Sequence, residues 1–448
     1  MRTPTIVLAF SVALSCCLGA PSLVTVSGTR LMVQKRLPGG DLGPAAPYFI
    51  RGVCYSPASI TTATTKNDSN NARVRRDEFG KWFRTDIPLL RAMNVNTVRL
   101  FIYPGFSGPL GTAGSAMLDE LWRNDIMVIM TVDDAINDTN RAVSAVNFYK
   151  NHPAVLCWSL GSEWNLSLYF GVAKSVLDAA QRTENAARLL KALDSAHPVA
   201  ASYGEIDIQA SGLRIADTKN YVNNVCSSVG IWSLNIYRGK SFGNLFNQWT
   251  SLSSKPFFLG EFGVDVFHAT VVTNPNPPGE VNEDEQTSWD LSLWDEIARH
   301  SSERNAINSC TGGTVFEFSD EWWHISTSEG AKAFQHDTGG WISGGFPDGM
   351  ANEEFFGIYT TERTPRKSAL KLATAFDVLV LANPLYQNGQ FSVSFWSRPG
   401  RLYELQSTED VGGGSWTSVE SITASGGQTT LTDTNRSGAH RLYRLKAD

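Results

Sequence analysis

The apolar positions between residues 48 and 380 follow two alternating patterns. Short, nearly continuous apolar runs are typical of parallel strands that are covered on both faces. Between these runs, apolar residues recur every three or four positions, which indicates helices with one buried face. The predicted strands are residues 49–55, 96–103, 126–133, 155–162, 199–203, 230–237, 256–262 and 314–319.

Eight predicted strands that alternate with helices indicate an α/β fold, namely a (β/α)8 TIM barrel. The competing architecture is an open doubly wound sheet, which ordinarily carries a glycine-rich phosphate turn after its first strand. Here Ser56, Pro57 and Ala58 follow the first predicted strand. The pattern therefore favours the barrel and gives no sign of a dinucleotide site.

The pattern changes on either side of the barrel, which we place at residues 48–380. Residues 24–33 predict a β-hairpin, in a segment 21–47 that we expect to cap the bottom of the barrel. Over residues 381–448, short alternating strands and glycine-rich turns predict a small C-terminal all-β module, similar to a sandwich. Its predicted strands are residues 391–396, 401–406, 417–422, 429–431 and 441–445.

Residues 1–20 have the composition of a signal peptide. Arg2 is followed by a short apolar run over residues 5–14 and then by the small residues Gly19 and Ala20. This order is typical of secretory signals, and the run is too short to span a membrane. We therefore expect a secreted, periplasmic or cell-surface protein with no integral membrane segment.

Composition narrows the class of partner. The net charge is −6 and no basic run occurs, which argues against nucleic acid as a partner. The 13 Trp residues fit both core filling and a cleft in which sugar rings stack on indole. No His or Cys spacing typical of a metal or haem site is present, so neither a metal nor a cofactor is predicted.

Four cysteines follow the predicted signal peptide. Cys54 and Cys157 lie in apolar, strand-like runs and are expected to be buried thiols. Cys226 and Cys310 each lie just before a predicted strand, and an export compartment would permit a disulfide between them.

Two predicted strands are each followed by a glutamate at the C-terminal end, where the catalytic residues of barrel enzymes lie. The fourth strand is followed by Glu163 and the seventh by Glu261. Catalytic residues of (β/α)8 barrels lie at the C-terminal ends of the strands, and strands four and seven face each other across the mouth. Glycoside hydrolysis uses such a pair, in which one group protonates the leaving oxygen and the other acts at the anomeric carbon.

The segments around these two residues resemble a known clan. Residues 155–165 (VLCWSLGSEWN) and 255–265 (KPFFLGEFGVD) are similar to clan A of the retaining glycoside hydrolases, whose catalytic glutamates end strands four and seven. The resemblance covers about residues 48–380. It implies that Glu163 is the acid/base and Glu261 the nucleophile.

Within the clan, the chain most resembles the β-1,3-glucanosyltransferases and the related bacterial β-glucanase-like families. Residues 86–101 (DIPLLRAMNVNTVRLF), 234–239 (LNIYRG) and 312–323 (GGTVFEFSDEWW) carry this narrower resemblance.

The resemblance also implies roles for supporting residues. Arg99 matches an arginine that hydrogen-bonds the nucleophile, and its fixed charge would favour the ionised form of Glu261. Tyr237 matches a tyrosine whose hydroxyl contacts the nucleophile. Trp322 or Trp323 is expected to form a stacking floor for a sugar ring.

One position departs from the clan pattern. The clan usually has Asn immediately before the acid/base, where its amide binds the sugar 2-hydroxyl, and here Ser162 occupies that position. A serine hydroxyl is shorter and offers one donor instead of two. Ser162 acting through water, Asn165 reaching into the site, and slower or altered catalysis all remain open.

Other polar and aromatic residues at predicted strand ends are candidates for lining the cleft. For each, a core or ion-pair role is the competing interpretation. These residues are Tyr55, Tyr103, Asp133, Asp134, Tyr203 and Glu317.

The predicted function is double displacement at a β-glycosidic bond of a polysaccharide or oligosaccharide. The expected substrate is a β-glucan, with a β-1,3-linked glucan as one candidate. Water or a second sugar hydroxyl would resolve the glycosyl-enzyme. One alternative is a carbohydrate-binding pseudoenzyme with a weakened site. Another is a serine esterase based on Ser241, since residues 239–243 match G-x-S-x-G. The oligomeric state stays open.

Overall fold

The computed structural model defines most of the chain. The described residues are 20–57, 72–207, 214–272, 277–322, 324, 336–377, 381–387, 389–397, 401–409, 415–424, 427–434 and 441–447. Residues 1–19 of the predicted signal peptide, and Trp323, lie outside them.

A β-hairpin precedes the barrel and covers its N-terminal end. Strands β1 (Leu23–Ser27) and β2 (Arg30–Gln34) pair antiparallel, and β3 (Ala46–Pro47) joins β2. Val24, Leu31 and Val33 pack against apolar residues of the barrel strands, including Ile129 and Phe258. The hairpin thus closes the end of the barrel that lies opposite the C-terminal strand ends.

Eight parallel strands form a closed barrel, which confirms the predicted fold. Seven of the eight are buried along their whole length, because helices cover the outside and side chains fill the inside. The barrel strands are β4 (Ile50–Cys54), β5 (Thr97–Leu100), β6 (Met127–Thr131), β7 (Val155–Leu160), β8 (Val199–Tyr203), β9 (Ile231–Asn235), β10 (Phe257–Phe262) and, after a hairpin of β11 (Phe267–Ala269) and β12 (Gly279–Val281), β13 (Cys310–Val315).

The eighth barrel strand lies earlier than predicted, at Cys310–Val315 instead of residues 314–319. Its middle contains Gly312 and Gly313, which interrupt the apolar pattern that marks a strand. Gly312 has φ +112°, and a side chain there would collide with the backbone of Ile50. Glycine is therefore required for close strand contact, and Glu317 lies two residues beyond the strand end.

Amphipathic helices form the outer layer. Phe79, Phe83, Ile87 and Leu90 are buried along one face of the first helix, as the sequence period predicts. Among the described helices, none is long and apolar enough to cross a membrane. The helices are α1 (Ala72–Ala92), α2 (Gly108–Arg123), α3 (Asp134–Asn137), α4 (Thr139–Tyr149), α5 (Trp164–Gly171), α6 (Val176–Leu193), α7 (Ile215–Asn220), α8 (Leu245–Leu252), α9 (Glu283–Arg299) and α10 (Lys367–Ala375), with a π-helical turn at Tyr221–Val225 and a 3₁₀ turn at Glu353–Phe355.

The C-terminal strands form two three-stranded antiparallel sheets, in the orders β16-β17-β20 and β19-β18-β21. Val393, Phe395, Tyr403, Leu405 and Leu431 share one apolar core. The first strand was not predicted, because Asn383 and Pro384 interrupt its apolar run. The strands that follow the barrel are β14 (Trp341–Ile342), β15 (Met350–Ala351), β16 (Leu381–Gln387), β17 (Gln390–Ser397), β18 (Leu402–Thr408), β19 (Thr417–Thr423), β20 (Gly427–Asp433) and β21 (Leu442–Ala447).

All four cysteines of the described chain are buried free thiols. This confirms the prediction for Cys54 and Cys157. The disulfide between Cys226 and Cys310 is wrong, because each thiol lies against a carbonyl within its own surroundings. The Cys226 Sγ is 3.4 Å from the Ala180 carbonyl oxygen.

A buried ion pair ties the first helix to a loop beyond the barrel. Asp86 accepts hydrogen bonds from Arg363 Nε at 2.9 Å and Nη2 at 3.1 Å. The Tyr55 hydroxyl donates to the same carboxylate at 3.0 Å. Arg363 also donates to the Thr361 carbonyl, and its guanidinium lies over the Trp82 ring. Both charged groups are buried, so removal of one leaves the other buried without its counterion.

We expect Asp86→Ala to lower the free energy of unfolding by about 3–5 kcal/mol, because the Arg363 charge is then buried without its counterion. Tyr55→Phe removes one hydrogen bond to a charged group and is expected to cost about 1.5–3 kcal/mol. Urea denaturation of both variants measures the difference. An Asp86→Ala protein as stable as the wild type would contradict a structural role for this pair.

Candidate active site

Glu163 lies on a sharp turn between β7 and α5. Gly161 has φ +76°, and Glu163 itself has φ +49°, so the chain turns in the left-handed region twice within three residues. Asp133, at the end of the preceding barrel strand, accepts a 2.5 Å hydrogen bond from the Gly161 backbone N–H. Asp133 thus holds the turn that presents Glu163, and burial raises the pKa of Asp133 to about 6.

Glu261 is held by two donors from other barrel strands. Arg99 Nη1 donates to its Oε1 at 2.7 Å, and both side chains are buried. The Tyr237 hydroxyl donates to Oε2 at 3.3 Å. Arg99 also donates to the Gly260 carbonyl at 2.9 Å, which fixes the guanidinium against the strand that carries Glu261. The structure thus brings Arg99, Tyr237 and Glu261 together, as the sequence motifs predicted.

The surroundings of Glu163 favour its protonated form. Burial raises the pKa of Glu163 to about 7, and the negative charge of Glu261 adds to the rise. Glu353 acts in the same direction, whereas the Asn235 amide and the Arg99 charge lower it. One glutamate is therefore paired with a fixed cation, whereas the other favours its protonated form near neutral pH.

Further carboxyl groups lie near this pair. Burial, with a contribution from Glu261, raises the pKa of Glu353 to about 8. Glu317 is 1% exposed, and its pKa is raised well above the usual range by burial and by the charges of Glu321 and Glu353. Glu317 was a sequence candidate for the cleft. Glu353 was missed, because it follows no barrel strand and only the tertiary structure brings it close.

Asn235 was also missed, although a signal for it exists. It is the last residue of β9, two positions before Tyr237, and the amide side chain acts on Glu163. The criterion of polar residues at strand ends would have included it.

The Asn165 amide, which one sequence interpretation had reaching into the site, is bonded to the neighbouring loop. Its Oδ1 accepts from the Gly204 backbone N–H at 2.7 Å, and its Nδ2 donates to the Glu205 carbonyl at 3.2 Å. Both ends of the amide therefore hold the loop after β8. Ser162 is partly buried, and its backbone carbonyl accepts from the Ser167 hydroxyl at 3.1 Å.

Several aromatic candidates for the cleft are core residues instead. Tyr203 is fully buried, and its hydroxyl lies 3.0 Å from Thr218 Oγ1. Tyr55 is fully buried against Asp86, as described above. Trp322 is also fully buried and offers no face for a sugar ring. The expectation of a cleft role for these three residues is wrong, because strand-end position does not show on which side of the wall a large ring lies.

Tyr103 belongs to a polar cluster at the ends of β5 and β6. Its hydroxyl donates to Asp134 and accepts from Arg141 Nε at 2.9 Å. The ring is 1% exposed and lies under the Arg76 guanidinium. These contacts satisfy Tyr103 and Asp134 within the protein, so neither is placed as a substrate ligand by this arrangement.

Ser241 does not have the surroundings of an esterase nucleophile. It is exposed in the loop between β9 and α8, and its Oγ accepts from the Gly243 backbone N–H at 3.0 Å. The described His300 packs on Phe246 and hydrogen-bonds the Glu296 carbonyl. Within the described ranges, no set of three or more His, Cys, Asp or Glu residues is arranged to hold a metal ion.

Comparison with protein-family models gives one match. Residues 124–298 match the family described as "Glycosyl hydrolases family 2, TIM barrel domain". The match spans under half of the chain and includes both Glu163 and Glu261. It confirms the predicted glycoside hydrolase barrel at the level of the domain, and it names family 2 instead of the glucanosyltransferase-like families. No curated protein matches the chain.

Solved structures share the fold. A Faecalibacterium prausnitzii β-glucuronidase aligns with 19% identity and a TM-score of 0.50, over 79% of this chain and 51% of that one. An Eisenbergiella tayi β-galacturonidase bound to glycerol aligns with 14% identity and a TM-score of 0.51, over 82% and 55%. A Ruminococcus gnavus β-glucuronidase in complex with D-glucuronic acid aligns with 16% identity and a TM-score of 0.50, over 80% and 52%. The chain thus spans about half the length of the structures it matches.

We expect Glu261→Gln to lower the pKa of Glu163 by about one unit, because a neighbouring negative charge that favours the protonated form is removed. Difference infrared titration of the carboxyl bands measures this, with the Glu163 signal isolated by subtracting the matching Glu163→Gln protein. Glu184→Gln is the control, since Glu184 bonds Ser228 on the outer surface. An unchanged pKa in Glu261→Gln would show that the two carboxyls do not interact.

Proposed function

We propose that this chain is a retaining β-glycoside hydrolase in which Glu261 is the nucleophile and Glu163 the acid/base. The observation that supports the proposal is the difference in electrostatic surroundings between two glutamates at the same end of one barrel. Glu261 is paired with Arg99 at 2.7 Å, whereas Glu163 has a pKa raised to about 7. The family match over residues 124–298 supports the same class of reaction.

In the first step, a Glu261 oxygen attacks the anomeric carbon while the bond from that carbon to the leaving oxygen breaks. Glu163 gives its proton to the leaving oxygen and becomes a carboxylate. Arg99 and Tyr237 hold Glu261 by hydrogen bonds to its two oxygens. These donors restrict rotation of the carboxylate, so one orientation faces the sugar.

In the second step, water attacks the anomeric carbon of the glycosyl-enzyme. Glu163 takes a proton from the water, and the bond between the sugar and Glu261 breaks. Ester formation has by then removed the negative charge of Glu261, which lowers the pKa of Glu163 and suits its role as base. A sugar hydroxyl in place of water would give transglycosylation.

The substrate we propose is a neutral β-linked glycan, with a β-glucan as the first candidate. The charges that act on Glu163 are those of Glu261, Arg99 and Glu353, and Glu317 adds a further carboxyl nearby. Arg99 is already paired with Glu261. Carboxyl groups bind sugar hydroxyls in either protonation state, whereas the carboxylate of a uronic acid would raise their pKa further and would find no unpaired cation among these groups.

A β-uronide is the second candidate substrate, because the family 2 structures that share the fold are a β-glucuronidase and a β-galacturonidase by name. Hydrolysis of a panel of 4-nitrophenyl β-glycosides (glucoside, galactoside, mannoside, xyloside and glucuronide) together with β-glucan oligosaccharides separates the two. Preference for the glucuronide would overturn the neutral-substrate proposal.

Export of the enzyme is also proposed, on the composition of residues 1–20 alone.

We expect Glu261→Ala to lose at least about 10³-fold in kcat on every substrate of the panel, because the covalent step is removed. Glu163→Gln should lose about 10²- to 10⁴-fold on substrates with poor leaving groups and much less with a 2,4-dinitrophenyl group, which departs without a proton. Steady-state assays and NMR of the first-formed anomer measure this. Ser241→Ala, the control for an esterase, should match the wild type.

Two outcomes would overturn the assignment. If neither glutamate variant changes turnover, the roles are wrong. If the wild-type protein binds β-glycan oligosaccharides in calorimetry but cleaves none of them, the chain is a carbohydrate-binding pseudoenzyme.

We expect kcat/KM for substrates that need a proton to fall as the pH rises through about 7, since Glu163 must be protonated to donate and its pKa is about 7. The fall should be absent in Glu163→Gln. A pH–rate profile on the best 4-nitrophenyl substrate tests this expectation. An alkaline limb that begins below pH 5, near the ordinary pKa of glutamic acid, would contradict it.

A further inference from the structure

Asn235 occupies the position in the barrel wall beside the proposed nucleophile. It ends β9, and its Cα pairs in register with that of Glu261 in β10. The residue is 3% exposed. A methyl group at position 260 would approach Asn235 Oδ1 to 2.8 Å, so Gly260 leaves the room in which this side chain lies.

The orientation of the Asn235 amide follows from a chain of hydrogen bonds. Arg99 Nη2 donates to Ser202 Oγ at 3.3 Å, and Ser202 Oγ lies 3.4 Å from Asn235 Oδ1. A guanidinium has donors only, so the Ser202 hydroxyl accepts from Arg99 and donates its own hydrogen bond to Asn235 Oδ1. The carbonyl oxygen of the amide therefore faces Ser202, and Nδ2 is the atom directed away from this chain.

The Nδ2 group of Asn235 is buried, and among the described residues no hydrogen bond of full geometry satisfies it in this state of the site. An amide donor left without a partner away from water costs about 1–3 kcal/mol, so a group that accepts from it during the reaction recovers this energy. The acceptor within reach is the Glu163 carboxyl, since Asn235 lies in register with Glu261 and its side chain is the hydrogen-bonding group that lowers the pKa of Glu163.

The groups that face Glu163 come from several elements. They are Glu261 on β10, Arg99 on β5, Tyr237 after β9 and Glu353 on the 3₁₀ turn. Arg99 is engaged by Glu261, Gly260 and Ser202. Asn235 is thus placed to supply a neutral donor to Glu163 without adding a charge.

We propose that Asn235 is a positioning residue for Glu163, with its amide, oriented through Ser202 by Arg99, donating to the Glu163 carboxylate whenever that group has given up its proton. This inference rests on the proposed function. It also links the two glutamates, since Arg99 holds Glu261 directly and orients the donor that serves Glu163.

The contact acts at a defined point of the reaction. After Glu163 has transferred its proton to the leaving oxygen, its carboxylate gains the Asn235 hydrogen bond. It keeps that bond until it takes a proton from the attacking water and the bond between Glu261 and the sugar breaks. Asn235 exchanges no proton, so its effect is on the ionisation and placement of Glu163.

The test is the pH dependence of the second step. With the 2,4-dinitrophenyl β-glycoside that the wild type cleaves best, the first step needs no acid, and kcat reports the step in which Glu163 is the base. Loss of a hydrogen bond to the carboxylate raises its pKa, so the acid limb of kcat should move up by about one pH unit in Asn235→Ala. Ser202→Ala should move it in the same direction by less, because the amide remains but is free to turn.

Asn223→Ala is the matched control, since its amide bonds the Lys219 and Leu252 carbonyls away from the site. Its acid limb should match the wild type. Difference infrared titration of Glu163 in Asn235→Ala gives a second measurement that needs no turnover, and the pKa should rise there too.

Each result decides between the two proposals. An active wild type with unchanged acid limb and unchanged Glu163 titration in Asn235→Ala overturns the inference and leaves the proposed function intact. A wild type that cleaves no β-glycoside overturns the proposed function. The infrared titration then shows separately whether Asn235 donates to Glu163.

Discussion

A single buried charge, the guanidinium of Arg99, organises the mouth of this barrel. Arg99 is fully buried, so its desolvation must be offset by partners, and Glu261 is among them. It pairs with Glu261, donates to the Gly260 carbonyl and to Ser202, and lies over the ring of Phe101. Because a guanidinium presents its donors in one rigid plane, these contacts fix the strand that carries Glu261 as well as its side chain.

The contrast between Glu163 and Glu261 follows from this arrangement. Both are glutamates at the same end of the barrel, and chemistry alone does not distinguish them. Arg99 offsets the cost of charge at Glu261, whereas at Glu163 burial and the nearby carboxylates outweigh the lowering effects of Arg99 and Asn235. Because an acid and a nucleophile need opposite protonation states, the position of this cation supports the roles proposed for the two glutamates.

The limits of sequence inference are clearest at the strand ends. Tyr103, Tyr203 and Asp133 all follow apolar runs, as a ligand would. The structure shows that Tyr203 packs in the core, Tyr103 belongs to an ion cluster, and Asp133 holds the Gly161 turn. Sequence position places a residue at the mouth, but the direction of its side chain depends on neighbours from other strands, which a linear pattern does not contain.

The sequence alone determined the barrel, its approximate strands and the two glutamates with Arg99 and Tyr237, because the apolar periods and strand-end motifs are local signals. It did not determine the start of β13, where glycines required for close contact with Ile50 conceal the strand. Only the tertiary structure decided that the cysteines remain free, that Trp322 is buried, and that Glu353 and Asn235 act on Glu163. The reason is physical: these properties arise from distances between residues far apart in the chain, and protonation responds to those distances.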